Sequence, residues 1–205
     1  MNRNTNPIIN DKEHKFLLDW ILSIDKDRMI FNNNCDGYFF NCEIMQENAS
    51  VEINDLIRNI KDRIIAAENL NKTGIESPIE LEDFIYIMPP GTQLHKHKDV
   101  NITGMYHVRF NLLLQKAEKG GISVYGGKKV TCEEKCYVLC RSGIDFHEST
   151  LVEGKKSRIV ISYGFNIPID TINEYPNIFD GKISRIVKFM DNNNLREGEI
   201  HSNHF

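Results

Sequence analysis

Met105-Tyr-His-Val-Arg-Phe-Asn-Leu-Leu-Leu114 decides the fold. In an extended chain, residues two apart point to the same side. His107, Arg109 and Asn111 therefore line one side of a strand, and Val108, Phe110, Leu112 and Leu114 line the other. Such a strand packs a core behind it and either looks into a wet cavity or turns a solvated face outward. Arg158-Ile-Val-Ile-Ser-Tyr-Gly-Phe165 repeats the pattern, with Arg158, Val160, Ser162 and Gly164 opposite Ile159, Ile161, Tyr163 and Phe165. Further short strands are expected over 82–88, 121–125 and 136–141, separated by glycine-containing turns.

Upstream the period is helical. Residues 11–24 place Phe16, Leu17, Trp20, Ile21 and Ile24 on one face, with Asn10 or Asp11 as the N-cap. A second helix runs from Ser50 to about Leu70. Its apolar stripe is Ile53, Ile57, Ile60 and Ile64, with Arg58, Lys61 and Arg63 elsewhere on its surface. The Tyr38-Phe39-Phe40 region supplies a strand or two, and 181–191 a short helix before a tail. Helices followed by a run of short strands give an α+β architecture with the helices covering one face of a mostly antiparallel sheet or barrel. With 205 residues and 40% hydrophobic content the chain makes one core and one domain, residues 1–205. Its parts are a helical segment (1–75), a β core (about 82–166) and a C-terminal extension (167–205).

No apolar run is long enough to span a bilayer, and the first residues carry no signal-peptide pattern. Five cysteines, three of them at Cys132, Cys136 and Cys140, fit buried thiols in a reducing compartment better than disulfides or a zinc knuckle. The reading is a soluble, intracellular (cytoplasmic) protein. A net charge of −4 and a pI near 6.0 disfavour nucleic acid as a partner. Lys128-Lys129 and Lys155-Lys156 read as solvated turns.

The chemistry begins after Pro89-Pro90-Gly91. His97 and Asp99 share a side of an extended segment and can grip one ion, and His147 completes the set from a distant strand. Two imidazoles and a carboxylate on one face of a metal leave positions open for a chelating ligand and O₂, the geometry of non-heme Fe(II) oxygenases. His95 has the same parity, so a His95/His97 pair is an alternative, with His95 otherwise at the cavity rim. Arg158, on an inward face, calls for a carboxylate partner, either a dicarboxylate co-substrate or an internal Asp or Glu. Ser162, Arg109, Asn111 and Tyr86 are further candidates for co-substrate contact, and His95 and His107 for substrate.

Pro90 through Asp99, Arg109 through Leu114, Gly120-Gly121, and Gly143 through His147 to Arg158–Ser162 together resemble the 2-oxoglutarate/Fe(II)-dependent dioxygenases. The nearest branches are the prolyl hydroxylases and the aspartyl/asparaginyl β-hydroxylases. The resemblance implies a double-stranded β-helix (jelly-roll) core braced by N-terminal helices. It implies Fe(II) on His97, Asp99 and His147, and 2-oxoglutarate paired with Arg158. It also implies hydroxylation of a C–H bond with O₂, on a peptide or protein side chain of prolyl or Asp/Asn type. The chain departs from both branches. Asp99 stands where the β-hydroxylase branch lacks an acidic ligand, and Arg158 where prolyl hydroxylases often carry Lys. A small-molecule oxygenase acting on an amino acid or metabolite is the first alternative. A cupin-type isomerase or non-catalytic metal-binding barrel is the second.

Overall fold

The computed structural model describes residues 6–25, 30–32, 37–40 and 49–179. Helix α1 (Asp11–Ser23) starts with a capping box: the Asn10 side chain accepts from the Glu13 amide, and the Glu13 carboxylate accepts from the Asn10 amide. Leu17 and Ile21 are fully buried, and Trp20 and Ile24 pack against the same core. Phe16 does not follow its stripe; its side chain is exposed at the edge of the apolar arc. Helix α2 (Val51–Ala67) is capped by Ser50 and buries Ile53, Ile57, Ile60 and Ile64 as the period requires. It stops three residues short of Leu70. Asn69 adopts a left-handed conformation (φ 53°), and the amides of Asn69 and Leu70 return to the carbonyls of Ala66 and Ile65. This is a Schellman ending with Asn where Gly is commonest.

Lys61 is a correction to the helical reading. It is buried, with Nζ 3.0 Å from Glu80, 3.0 Å from Asp83 and 3.1 Å from the Leu81 carbonyl, above the Phe165 ring. Its long apolar stem lies against the core, and two carboxylates compensate the buried ammonium.

The main sheet orders its strands as β1 (Ile30–Asn32), β2 (Gly37–Phe40), β4 (Phe84–Met88), β12 (Arg158–Pro168), β5 (Met105–Gln115) and β9 (Tyr137–Cys140). The short β3 (Ile79–Glu80) also pairs with β12, and every pairing is antiparallel. Thus the two strands of polar/apolar alternation lie side by side, with Ser162 opposite Asn111 and Asn166 opposite His107. Val108, Phe110, Leu112, Leu114, Ile159, Ile161, Tyr163 and Phe165 meet the helices in one core.

The opposite face meets a smaller antiparallel layer. It comprises β10 (His147–Ser149), β7 (Ser123–Tyr125) and β8 (Lys128–Val130), beside the pair β6 (Lys119–Gly120) and β11 (Val152–Glu153). Tyr86, Met88, Leu113 and Val160 of the main sheet pack there with Val152. Lys128-Lys129 is therefore strand rather than turn, although both lysines are exposed. The turn is Gly126-Gly127, whose φ of +55° and +77° suits a two-residue hairpin between Tyr125 and Lys128. The expected 181–191 helix and terminal tail lie outside the described residues. Among the described residues, no helix is long and apolar enough to cross a membrane.

Candidate metal centre

After β4, Pro89 and Pro90 end the ladder and Gly91 turns the chain with φ +88°. The following segment lies antiparallel to β10 and β11. Val152 donates to Thr92 O (2.8 Å), Ser149 to Leu94 O (3.0 Å), and His97 and His147 exchange both backbone hydrogen bonds (3.0 and 2.8 Å). A non-local pairing thus sets the two imidazoles side by side, with ring centroids 4.1 Å apart. The Asp99 amide donates to Ser142 O, tying the segment to the approach to β10. One ligand atom each from His97, Asp99 and His147 lies within 4.8 Å of the other two. His95 is exposed, its ring turned to the Gln93 amide, and it does not join them.

Local hydrogen bonds prepare the donors. His97 Nδ1 donates to the His95 carbonyl (2.7 Å), which leaves the Nε2 lone pair facing the cluster. Burial pushes the His147 imidazole down to about 4, against the pull of Asp99, so it stays neutral at pH 7. Asp99 Oδ1 lies 3.6 Å from His97 Nε2 and 3.7 Å from His147 Nε2. Burial alone would raise its carboxyl. The hydrogen bond from His107, the His147 imidazolium (present only in acid) and the charge of Arg109 outweigh burial and hold it well below the usual carboxylate range. Two imidazole nitrogens and an ionised carboxylate fit a divalent transition metal.

Asp99 Oδ2 faces the main sheet. His107 Nε2 is 3.3 Å from it and Arg109 Nε 3.5 Å. Arg109 also stacks on Phe84 (4.3 Å) and reaches Ser162 Oγ (3.4 Å). The cavity-facing parity of His107 and Arg109 therefore delivers both to the acidic ligand. Ser162 is engaged by Arg109, not by Arg158. His107 is buried, with its ring nitrogens facing Asp99 and Asn166.

Arg158 stands at the other end of the same inter-sheet space. Its Nη2 donates to Ser123 Oγ (2.8 Å), and its Nη1 lies 3.6 Å from Met88 Sδ. That sulfur also touches Ser149, two residues beyond His147. Gly121 makes room for the stem, since a Cβ there would sit 3.1 Å from Arg158 Cδ. Burial lowers the guanidinium, with Tyr125 and Tyr86 acting in the opposite sense. Among the described residues no carboxylate pairs with it, so the internal salt bridge is not formed.

Tyr125 is enclosed beside Arg158, where burial pushes its phenol up to about 12, and its hydroxyl accepts from Asn111 Nδ2 (3.0 Å). Sequence reasoning missed Ser123 and Tyr125. Their signal was the alternation of Ser-Val-Tyr before Gly-Gly, which places both on one side of a strand. It also missed Asn101, whose side chain bridges the Gly143 carbonyl and the His107 amide. Among the described residues Cys132, Cys136 and Cys140 form no disulfide, and burial raises the thiol of Cys132 to about 11 and that of Cys140 well above its ordinary value.

No protein-family model and no curated protein matches the sequence. Solved structures do. A prolyl-4-hydroxylase of Pseudomonas putida superposes with a TM-score of 0.59 at 15% identity, over 82% of this chain and 91% of that one. The chain shares its fold with that enzyme. The viral collagen prolyl hydroxylase of Paramecium bursaria Chlorella virus-1, in complex with 2-oxoglutarate, gives 0.57 at 12% identity over 79% and 93%. HygX of Streptomyces hygroscopicus, with nickel and 2-oxoglutarate bound, gives 0.57 at 9% identity over 80% and 81%. The resemblance carried by the motifs therefore holds at the level of the fold.

Proposed function

We propose that the protein is a 2-oxoglutarate- and Fe(II)-dependent dioxygenase with a double-stranded β-helix core, hydroxylating a C–H bond on a peptide or protein side chain. The observation that carries this reading is Arg158. A guanidinium deep between two sheets is costly without an anion. This one is held by Ser123 and lies by Met88 Sδ, which also touches Ser149, two residues from His147 of the candidate donor set. A keto-diacid would suit both, with one carboxylate for Arg158 and a chelating keto-acid end for the metal.

His97, Asp99 and His147 would hold Fe(II). Arg158 would pair with the distal carboxylate of 2-oxoglutarate in a charge-assisted, fork-like contact. Tyr86 and Ser123 stand beside that contact, and Asn111 acts on it through Tyr125. Arg109 and Ser162 serve the Asp99 side. With iron bound, 2-oxoglutarate and O₂ give succinate and CO₂, and the second oxygen atom enters the substrate as a hydroxyl. The protein supplies position, charge and the exclusion of water; no side chain need act as a general acid or base.

The peptide reading draws on the two prolyl hydroxylases that share the fold. The second reading, a small-molecule oxygenase, draws on HygX, whose structure also exists with hygromycin B bound. The test is incubation with Fe(II), 2-oxoglutarate and O₂ alongside proline-, Asp- and Asn-containing peptides and a metabolite panel, followed by mass spectrometry. A gain of one oxygen on a peptide with stoichiometric succinate is expected. A gain only on metabolites selects the second reading, and absence of succinate from any mixture rejects both.

A further inference from the structure

The Asp99 carboxylate is divided between two tasks. Oδ1 faces the imidazoles of His97 and His147, at 3.6 and 3.7 Å, while Oδ2 faces away toward His107 Nε2 and Arg109 Nε. His107 is itself fixed. Its Nδ1 lies 3.2 Å from Asn166 Oδ1, and Asn166 is the residue directly opposite it in the β5/β12 ladder. Asn166 is 3% exposed and His107 6%, so neither ring nor amide has solvent as an alternative partner. Behind the ring, the His107 amide donates to Asn101, and Gly143 is packed so closely that a Cβ there would meet His107 Cβ at 3.0 Å.

We propose that His107, anchored by Asn166, is a positioning residue that holds Asp99 to metal coordination through one oxygen. The inference rests on the metal centre proposed above and specifies how its acidic ligand is controlled. A carboxylate that is free to rotate can bind a metal through both oxygens and so close a position that a chelating co-substrate needs. An N–H facing Oδ2 opposes that rotation, because both oxygens could turn to the metal only by leaving a buried donor unpaired. Ionised Asp99 demands the hydrogen on His107 Nε2, and the lone pair then left on Nδ1 accepts from the Asn166 side-chain amide with that amide turned so that Nδ2 faces the ring. Arg109 adds a second contact to the same oxygen, but its guanidinium is shared with Ser162 and the Glu82 carbonyl.

The experiment titrates metal-free full-length protein with Co(II), following calorimetry and the visible absorption of the bound ion, and needs no turnover. His107→Leu removes the donor, His107→Gln replaces it with an amide N–H, and Asn166→Ala removes only the anchor. Expected is a fall of about 10–100-fold in Co(II) affinity for His107→Leu, with an altered visible spectrum that reports a changed number of ligand atoms. His107→Gln should recover most of both, and Asn166→Ala should fall between. Wild-type affinity and spectrum in folded His107→Leu overturns the proposal. So does a His107→Gln protein that is folded yet as impaired as His107→Leu, since the loss is then one of packing. If His107→Leu fails to melt cooperatively, Asn166→Ala decides, and an unchanged titration there overturns the proposal. Wild-type protein that takes up no Co(II) instead overturns the underlying metal-centre reading, a distinct result.

Discussion

At the scale of single residues, strand parity carried most of the candidate site. His97 and Asp99 alternate in an extended segment, and the structure brings them with His147 into one donor set. His97→Ala or Asp99→Ala is expected to abolish iron-dependent succinate formation while leaving the circular dichroism spectrum unchanged; full turnover in either variant rejects the ligand assignment. Arg158→Ala removes the charge facing the proposed dicarboxylate. Loss of one partner of a desolvated charge pair costs about 2–5 kcal/mol. The 2-oxoglutarate concentration at half-maximal rate should therefore rise ~30-fold or more, measured as succinate release against co-substrate concentration. What parity could not reveal was the partner of each polar group. Ser162, a candidate for co-substrate contact, accepts from Arg109. His107, a candidate for substrate contact, meets Asn166, which the β5/β12 register sets opposite it.

At the scale of elements, long periodic segments were legible and short ones were not. The helices α1 and α2 and the strands β5 and β12 announce themselves through many residues of consistent alternation. The strand β10 has three residues, and its existence depends on pairing with β7 and with the His97 segment, which no local signal contains. Lys61 shows the same limit on a helix. Its position alone says surface, but Glu80 and Asp83 arrive from the β3–β4 region to hold it inside. Lys61→Ala would leave the Asp83 carboxylate, already pushed up by burial, without its nearest cation. Breaking such a pair costs about 3–5 kcal/mol, and urea denaturation should show a lowered midpoint and an unfolding free energy smaller by about that amount. A midpoint within experimental error of wild type would show the clasp to be dispensable.

At the scale of the whole molecule, the helices and the main sheet share one core, and the candidate metal site lies on the sheet's other face. Phe110 sits at the middle of that core, fully buried, edge-on to Tyr137 and Phe165 at 5.9 and 5.7 Å. Its neighbours in the strand, Arg109 and Asn111, face the site. Phe110→Ala should therefore lower stability by about 3–5 kcal/mol through the cavity it leaves. Metal affinity should hold under conditions where the variant remains folded. Thermal melting and Co(II) titration of the same preparation check the two halves separately.

The sequence by itself determined the α+β order, the apolar faces of the long elements and which residues are candidate donors, because each depends on spacing along the chain. Only the tertiary structure decided which donors converge, leaving His95 outside. It also decided that Arg158 lies among Ser123, Tyr125 and Tyr86 with no carboxylate of the described residues beside it. Those outcomes depend on hydrogen-bonded pairings between segments some fifty residues apart, and periodicity within a segment carries no information about its partner.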